Sequence, residues 1–180
     1  MIGGVRLFFA LWPAQSTRED LAAAGAALSV AAPARPVRVG NFHLTVAFVG
    51  LVPAESLERV RLVGREVKAR AIELRFDAYE YWPKPEVVVA AARIIPPALQ
   101  ALWDDLHRAL AAAGFALRVK RLRPHVTLMH RVGADPLLPV FRPFTWLARD
   151  LCLVRSETGA DQSVYTVVDT WSLLDKRARA

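Results

Sequence analysis

One unit occurs twice in this chain: a strand, a proline that starts a helix, and a second strand carrying a His-x-Thr-x motif. In the first copy the strands are residues 5–12 and 41–49, and Pro13 lies 30 residues before His43. In the second copy the first strand is residues 86–95, and Pro96 lies 29 residues before His125. Self-similarity of this kind constrains the fold to two related halves.

The remaining segments add strands and one more helix. Apolar side chains recur at helical spacing in residues 54–70, whereas residues 73–81, 144–155 and 163–174 have the pattern of strands. Strands joined by hairpins and covered by helices predict an α+β fold with antiparallel sheets. Because no linker-like segment separates the copies, we expect residues 1–180 to form a single domain.

The net charge and the cysteine content indicate the kind of partner and the compartment to expect. The formal net charge is +7, which favours an anionic partner such as nucleic acid. Cys152 is the only cysteine, so no disulfide can form within the chain, and the reducing cytoplasm is the expected compartment. No stretch approaches the roughly 20 apolar residues that span a bilayer, so no membrane association is expected.

Each motif directs an imidazole and a hydroxyl to the same face of its strand. Side chains alternate between the two faces of a strand, so His43 shares a face with Thr45, and His125 shares one with Thr127. The same alternation predicts Ala47 on the motif face. The opposite, core-facing side of this strand is predicted to hold Phe42, Leu44, Val46 and Phe48. One such histidine is usually structural, but two copies after the same unit indicate a functional site.

Two histidines suit acid–base chemistry on a phosphate. An imidazole has an ordinary pKa of about 6.5, so one ring can accept a proton near neutral pH while the other donates one. The hydroxyl two residues later can donate to a phosphoryl oxygen. Neither motif has the nearby cysteine, second histidine or glutamate of a zinc site, and no glycine-rich phosphate loop is present. The sequence therefore predicts phosphoryl transfer with no metal and no cofactor.

These motifs resemble those of the two-histidine (2H) phosphoesterase superfamily. Within it, the chain is similar to the bacterial and archaeal RNA 2′,3′-cyclic phosphodiesterases, also called 2′-5′ RNA ligases. The resemblance extends over nearly the whole chain. The matching segments are residues 6–10 (RLFFA), 41–50 (NFHLTVAFVG), 123–128 (RPHVTL), 153–156 (LVRS) and 164–165 (VY).

The resemblance implies both a fold and a reaction. The fold is bilobal and pseudo-symmetric, with two antiparallel sheets lining a central cleft and helices outside. The reaction is hydrolysis of a 2′,3′-cyclic phosphate on RNA to a 2′-phosphate. His43 would protonate the leaving O3′ and His125 would activate water, although the sequence alone does not distinguish these roles. Thr45 and Thr127 would hold phosphate oxygens. The chain would act as a monomer.

Two features leave alternatives open. Family members often carry arginine five residues after the second histidine, where this chain has His130 followed by Arg131. Either His130 or Arg131 could contact the phosphate, or the contact could be weaker in this chain. Arg121 and Arg123, preceded by Arg118 and Lys120, could attract RNA to the mouth of the cleft. Equally, these charges could protect an exposed strand edge from pairing with another sheet.

Other activities are compatible with the same residues. The reverse reaction would ligate a 2′,3′-cyclic phosphate end to a 5′-hydroxyl and give a 2′-5′ linkage. Small cyclic nucleotides could be substrates in place of RNA. A rival of another class is an RNA- or nucleotide-binding module without catalysis, against which the intact pairs of histidine and threonine argue.

Overall fold

A computed structural model of the chain describes residues 4–28, 34–117, 121–133, 136–159 and 163–173. Its three helices are α1 (Gln15–Ala26), α2 (Leu57–Glu66) and α3 (Pro97–Ala112). The strands are β1 (Gly4–Leu11), β2 (Arg35–Pro36), β3 (Leu44–Pro53), β4 (Ile72–Phe76), β5 (Ala78–Trp82), β6 (Val87–Ala91), β7 (His125–His130), β8 (Phe144–Ala148), β9 (Asp150–Thr158) and β10 (Ser163–Ser172).

Two four-stranded sheets carry the two copies of the repeated unit. The first sheet has the strand order β10-β9-β1-β3, and the second has the order β2-β7-β6-β5. In each sheet the motif strand, β3 or β7, pairs antiparallel with the first strand of its own unit, β1 or β6. The α+β, two-lobed fold predicted from the repeat is confirmed. A separate two-stranded sheet pairs β4 with β8.

The helices link the two lobes by packing across them. Helix α1 follows β1 of the first sheet but contacts β7 of the second, and α3 follows β6 but contacts β3. The hydroxyl of Tyr79 on β5 donates to the carbonyl of Ala24 on α1 over 2.7 Å, so a hydrogen bond also joins α1 to the second sheet. One face of α3 is buried in the core, and its buried residues are Leu99, Leu102, Leu106 and Leu110. A single large core therefore lies behind both motif strands.

Two predicted strands are each divided in the structure. Residues 73–81 form β4 and β5, which belong to different sheets because the chain bends at Asp77. The Asp77 carboxylate accepts from both the backbone N–H and the guanidinium of Arg93, which holds this bend. Residues 144–155 likewise divide at Arg149 into β8 and the start of β9. No helix in the described part of the chain has the length and apolarity to cross a membrane.

Candidate active site

The two motif histidines are held in the same way. The Nδ1 atom of His43 lies 2.6 Å from the carbonyl oxygen of Asn41, and that of His125 lies 2.6 Å from the carbonyl oxygen of Arg123. Since a carbonyl only accepts, Nδ1 of each ring carries the hydrogen. The neutral ring then has its lone pair on Nε2, which can accept a proton. Both imidazoles therefore have the same tautomer, with Nε2 able to accept a proton.

The residue that anchors each imidazole is itself anchored through its side chain. The amide of Asn41 donates to the carbonyl of Ser163 on β10 over 3.1 Å. The guanidinium of Arg123 donates to Glu80 on β5 over 2.6 Å. Because each anchor binds a strand distant in sequence, the orientation of each ring depends on the folded lobe and not on the motif alone.

The threonines of the motifs lie beside the histidines with unused hydroxyls. Thr45 and Thr127 are both half-buried, on the same strand faces as His43 and His125 respectively. Neither hydroxyl has a hydrogen-bond partner among the described residues. A half-buried hydroxyl without a protein partner is available to a bound anion.

Each motif strand has a β-bulge at the residue after its threonine. Thr45 and Ala47 pair with consecutive residues of β1, so Val46 has no partner. Thr127 and Met129 pair with consecutive residues of β6, so Leu128 has none. An extra residue in one strand reverses the alternation of faces beyond it. The repeat therefore extends to an irregularity that the sequence pattern did not reveal.

Because of the bulge in β3, two residues lie on the opposite strand face from the one predicted. Ala47, expected on the motif face, is only 2% exposed and belongs to the core. Phe48, expected in the core, is 69% exposed and pairs with Phe8 on the motif face. These predictions were wrong because strict alternation assumes an uninterrupted ladder. Phe42, Leu44 and Val46 are buried as expected.

The bulge in β7 places His130 on the same face as His125. Val87, the partner of His130, clusters with Val89 and Ala91, the partners of Thr127 and His125. The charge of His130 also lowers the pKa of His43, so His130 is within electrostatic reach of the other lobe. Arg131 follows with a φ of 55° and an exposed side chain. The charged groups that shift the pKa values of His43 and His125 do not include Arg131.

Aromatic rings surround His43. The ring centroid of Trp12 lies 5.6 Å from that of His43 in a nearly parallel arrangement, and Phe8 lies at 5.0 Å. Tyr165 contacts the imidazole edge-on at 5.1 Å. The pKa of His43 is lowered to about 4, chiefly by burial among these rings; the bond to the carbonyl of Asn41 opposes the shift, and the charges of His125 and His130 contribute to it. His43 is thus neutral at neutral pH when no anion is bound.

The side chains around His125 are more polar than those around His43. Trp82 lies 4.4 Å from the imidazole, and the guanidinium of Arg123 stacks over the indole at 4.1 Å. The carboxylate of Glu80 accepts from both Trp82 Nε1, over 2.8 Å, and Arg123. Burial lowers the pKa of His125; the charge of Arg123 lowers it further and that of Glu80 raises it. The role of Glu80 was not predicted from sequence patterns, because Arg123, which it binds, lies 43 residues away along the chain.

The two motifs lie close enough to interact electrostatically. The charge of His125 contributes to the lowered pKa of His43, and β3 contacts β7. The structure thus brings together His43, Thr45, His125, Thr127 and His130 at one cleft. Within the described residues no group of three or more His, Cys, Asp or Glu side chains is arranged to bind a metal ion.

The basic residues before the second motif lie in an irregular segment and not in a strand. Strand β7 begins at His125, and Arg121 is exposed. The guanidinium of Arg123 is already paired with Glu80 and stacked on Trp82. Arg118 and Lys120 fall outside the described residues. Trp82 lies on the cleft face, whereas Phe42 is buried in the core.

Proteins of known activity resemble this chain over nearly its whole length. It is 28% identical to the RNA 2′,3′-cyclic phosphodiesterase of Escherichia coli (strain K12) over 170 residues, covering 93% of this chain and 96% of that protein. It is 28% identical to the protein of the same name from Thermus thermophilus, covering 97% and 93%.

The fold matches that of solved structures. The crystal structure of Escherichia coli LigT complexed with 3′-AMP superposes with a TM-score of 0.85 and 27% identity, covering 94% of this chain and 98% of that one. The family model described as the 2′-5′ RNA ligase superfamily matches residues 13–160, which include both His-x-Thr-x motifs. This chain belongs to the 2′-5′ RNA ligase superfamily.

Proposed function

We propose that this protein hydrolyses RNA 2′,3′-cyclic phosphate ends to 2′-phosphates by acid–base catalysis between His43 and His125. The observation that carries this proposal is the identical anchoring of the two imidazoles at Nδ1, which leaves both Nε2 atoms for proton transfer at one cleft. The activity of the Escherichia coli and Thermus thermophilus relatives supports the choice of substrate.

The reaction requires one base and one acid. In the proposed assignment, Nε2 of His125 takes a proton from water as its oxygen bonds to phosphorus. The bond from phosphorus to O3′ breaks, and His43 gives its Nε2 proton to O3′. The product is a 2′-phosphate beside a free 3′-hydroxyl. Each role typically contributes about 10²–10⁴-fold to the rate.

The lowered pKa of His43 sets a condition on this assignment. A ring with a pKa of about 4 carries few protons at neutral pH, so His43 would be a poor acid in the empty cleft. The negative charge of a bound phosphate favours the imidazolium and raises this pKa. Substrate binding would therefore charge His43 at the moment when its proton is needed.

The remaining cleft residues would hold the phosphate. The free hydroxyls of Thr45 and Thr127 can donate to non-bridging oxygens from opposite lobes. His130 shares the face of His125 and is the better placed of the two candidates for a further phosphate contact, because Arg131 lies beyond the strand end. Arg121 would attract RNA through its exposed charge. We further propose that residues 1–180 act as one unit and as a monomer.

The test uses a short RNA with a 2′,3′-cyclic phosphate end, with phosphorus NMR to identify the product. His43→Gln and His125→Gln should each lower turnover by about 10²–10⁴-fold while circular dichroism remains unchanged. His107→Gln on α3 is the matched control and should retain full activity, because among the described residues the His107 ring bonds only to the Trp103 carbonyl of its own helix. Full turnover by both motif variants, or a 3′-phosphate product, would refute the proposal.

A further inference from the structure

The short strand β2 presents an arginine beside His130. Arg35 is the register partner of His130 in the antiparallel pairing of β2 with β7. Directly opposed residues of such a pair share one face of the sheet, with Cβ atoms about 4.5–5.5 Å apart. Arg35 is exposed, whereas Ala34, which precedes it, packs against the core. Because His130 shares the face of His125, the Arg35 side chain also lies on the cleft wall.

The local sequence fixes this position of Arg35. A residue before proline is confined to extended backbone, so Pro36 holds Arg35 in the conformation of a strand. The N–H of Val37 then donates to the carbonyl of Leu128 over 2.9 Å. Leu128 is the residue that the bulge leaves without a partner on β6. Strand β2 therefore binds the bulge that places His130 on the cleft face, and it carries Arg35 at the same point.

The segment that follows β2 leads directly to the first motif. Val39–Asn41 form a single turn of 3₁₀ helix, and the carbonyl of Asn41 accepts from Nδ1 of His43. Arg35 thus precedes His43 by only eight residues, although it pairs with the second lobe. The charge of His130 contributes to the lowered pKa of His43, so this end of the second sheet is close to the first motif. Arg35 therefore lies at the end of the cleft where the two lobes meet.

The five residues brought together at the cleft lack a permanent positive charge. The hydroxyls of Thr45 and Thr127 are uncharged, and desolvation lowers the pKa values of all three histidines. A cyclic phosphate is an anion, so a cation that is present at neutral pH favours its binding. A guanidinium is always charged and presents a planar fork of N–H donors that matches two phosphate oxygens. Arg35 supplies this group beside the imidazole of His130.

We propose that Arg35 is a further phosphate-binding residue of the cleft, and that its guanidinium and the imidazole of His130 bind one phosphate together. The guanidinium donates to non-bridging oxygens of the cyclic phosphate before the reaction and of the 2′-phosphate after it. This inference rests on the proposed function and deepens it, because it assigns to β2 the positive charge that attracts the anion. Inorganic phosphate offers the same oxygens and binds at the same place.

The first experiment measures binding apart from turnover. Inorganic phosphate is titrated into each protein, and the NMR signals of the cleft histidine rings give its Kd. Arg35→Gln should raise this Kd about tenfold or more, because charge-assisted hydrogen bonds are lost. Arg35→Lys, which keeps the charge without the planar fork, should give an intermediate value. Arg65→Gln removes the same charge from an exposed position on α2 and, as the matched control, should leave Kd unchanged.

The second experiment measures turnover of 2′,3′-cyclic AMP. Arg35→Gln should raise KM by a factor similar to its effect on the phosphate Kd. If the two side chains bind one phosphate, their effects are coupled. His130→Gln should therefore raise KM by a smaller factor in the Arg35→Gln background than in the wild-type protein. Independent, multiplicative effects would refute the joint binding of one phosphate.

The outcomes separate this inference from the proposed function. If the wild-type protein hydrolyses no cyclic phosphate, the proposed function fails, whereas the phosphate titration still decides the role of Arg35. Wild-type values of Kd and KM in Arg35→Gln would refute that role and would leave Arg35 as a charge that protects the edge of the sheet. An equal effect of Arg65→Gln would also refute it, because net charge alone would then explain the change.

Discussion

Protonation of His43 should make the fold sensitive to acid, and the size of this effect follows from its surroundings. Burial beneath Phe8, Trp12 and Tyr165 lowers the pKa of His43 from 6.5 to about 4. In the unfolded chain the imidazole has its ordinary pKa of about 6.5. Between these two values the unfolded state binds more protons, so the free energy of unfolding falls as the pH falls.

The magnitude is about 1.4 kcal/mol for each pH unit in this window. At pH 5 the loss attributable to His43 is therefore about 2 kcal/mol, and it reaches about 3 kcal/mol near pH 4. Above about pH 7 the ring is neutral in both states and contributes nothing to the pH dependence. Because desolvation also lowers the pKa values of His125 and His130, the wild-type curve alone would mix three residues.

The contribution of His43 is isolated by comparison with His43→Gln, whose side chain does not titrate. Urea unfolding at pH 7 and pH 5 gives the free energy of unfolding of both proteins. Between these pH values the variant should lose about 2 kcal/mol less stability than the wild type. An independent measurement is the NMR titration of the His43 ring, whose pKa should rise toward 6.5 in Trp12→Ala. Equal losses in both proteins, together with an NMR pKa near 6.5 in the wild type, would refute the reasoning.

Three further substitutions test contacts that support the site and the fold. Glu80→Gln removes a charge that raises the pKa of His125, so the limb of the pH–rate profile due to His125 should move to lower pH. Gly64→Ala places a Cβ about 2.4 Å from the indole of Trp171, and the clash should cost about 1–3 kcal/mol in urea unfolding, with turnover of the folded fraction unchanged. Tyr79→Phe deletes the bond to α1 and should cost about 0.5–1.5 kcal/mol by the same assay.

Local patterns were sufficient to predict the elements and their repeat. The spacing of leucines in α3 and the alternation around His43 and His125 reflect burial within one element, which a sequence displays directly. The duplication predicted two related halves, and the structure places one copy of the unit in each four-stranded sheet. What the patterns did not predict is which sheet receives each strand when the chain bends, as at Asp77, because that depends on packing between distant segments.

The sequence predicted the central residues of the candidate site but not the side chains that surround them. The two motifs identified His43 and His125 from residues adjacent in sequence. The side chains that orient and desolvate them come from elsewhere: Trp12 and Tyr165 surround the first imidazole, and Glu80 supports the second. No spacing rule connects these residues to the motifs, so only the folded chain reveals that the two imidazoles have unlike environments.

The bulges explain why a residue five places after each motif histidine lies on the same strand face as the histidine and threonine. In a regular strand, positions one and three share a face and position six does not. With one unpaired residue after the threonine, position six returns to that face. In β7 this position is His130, a group that can bind a phosphate, and in β3 it is Phe48, a group that can bind a base. The same backbone irregularity in both lobes thus places a histidine on one wall of the cleft and an aromatic ring on the other, and we therefore expect an asymmetric nucleotide to bind in one direction only.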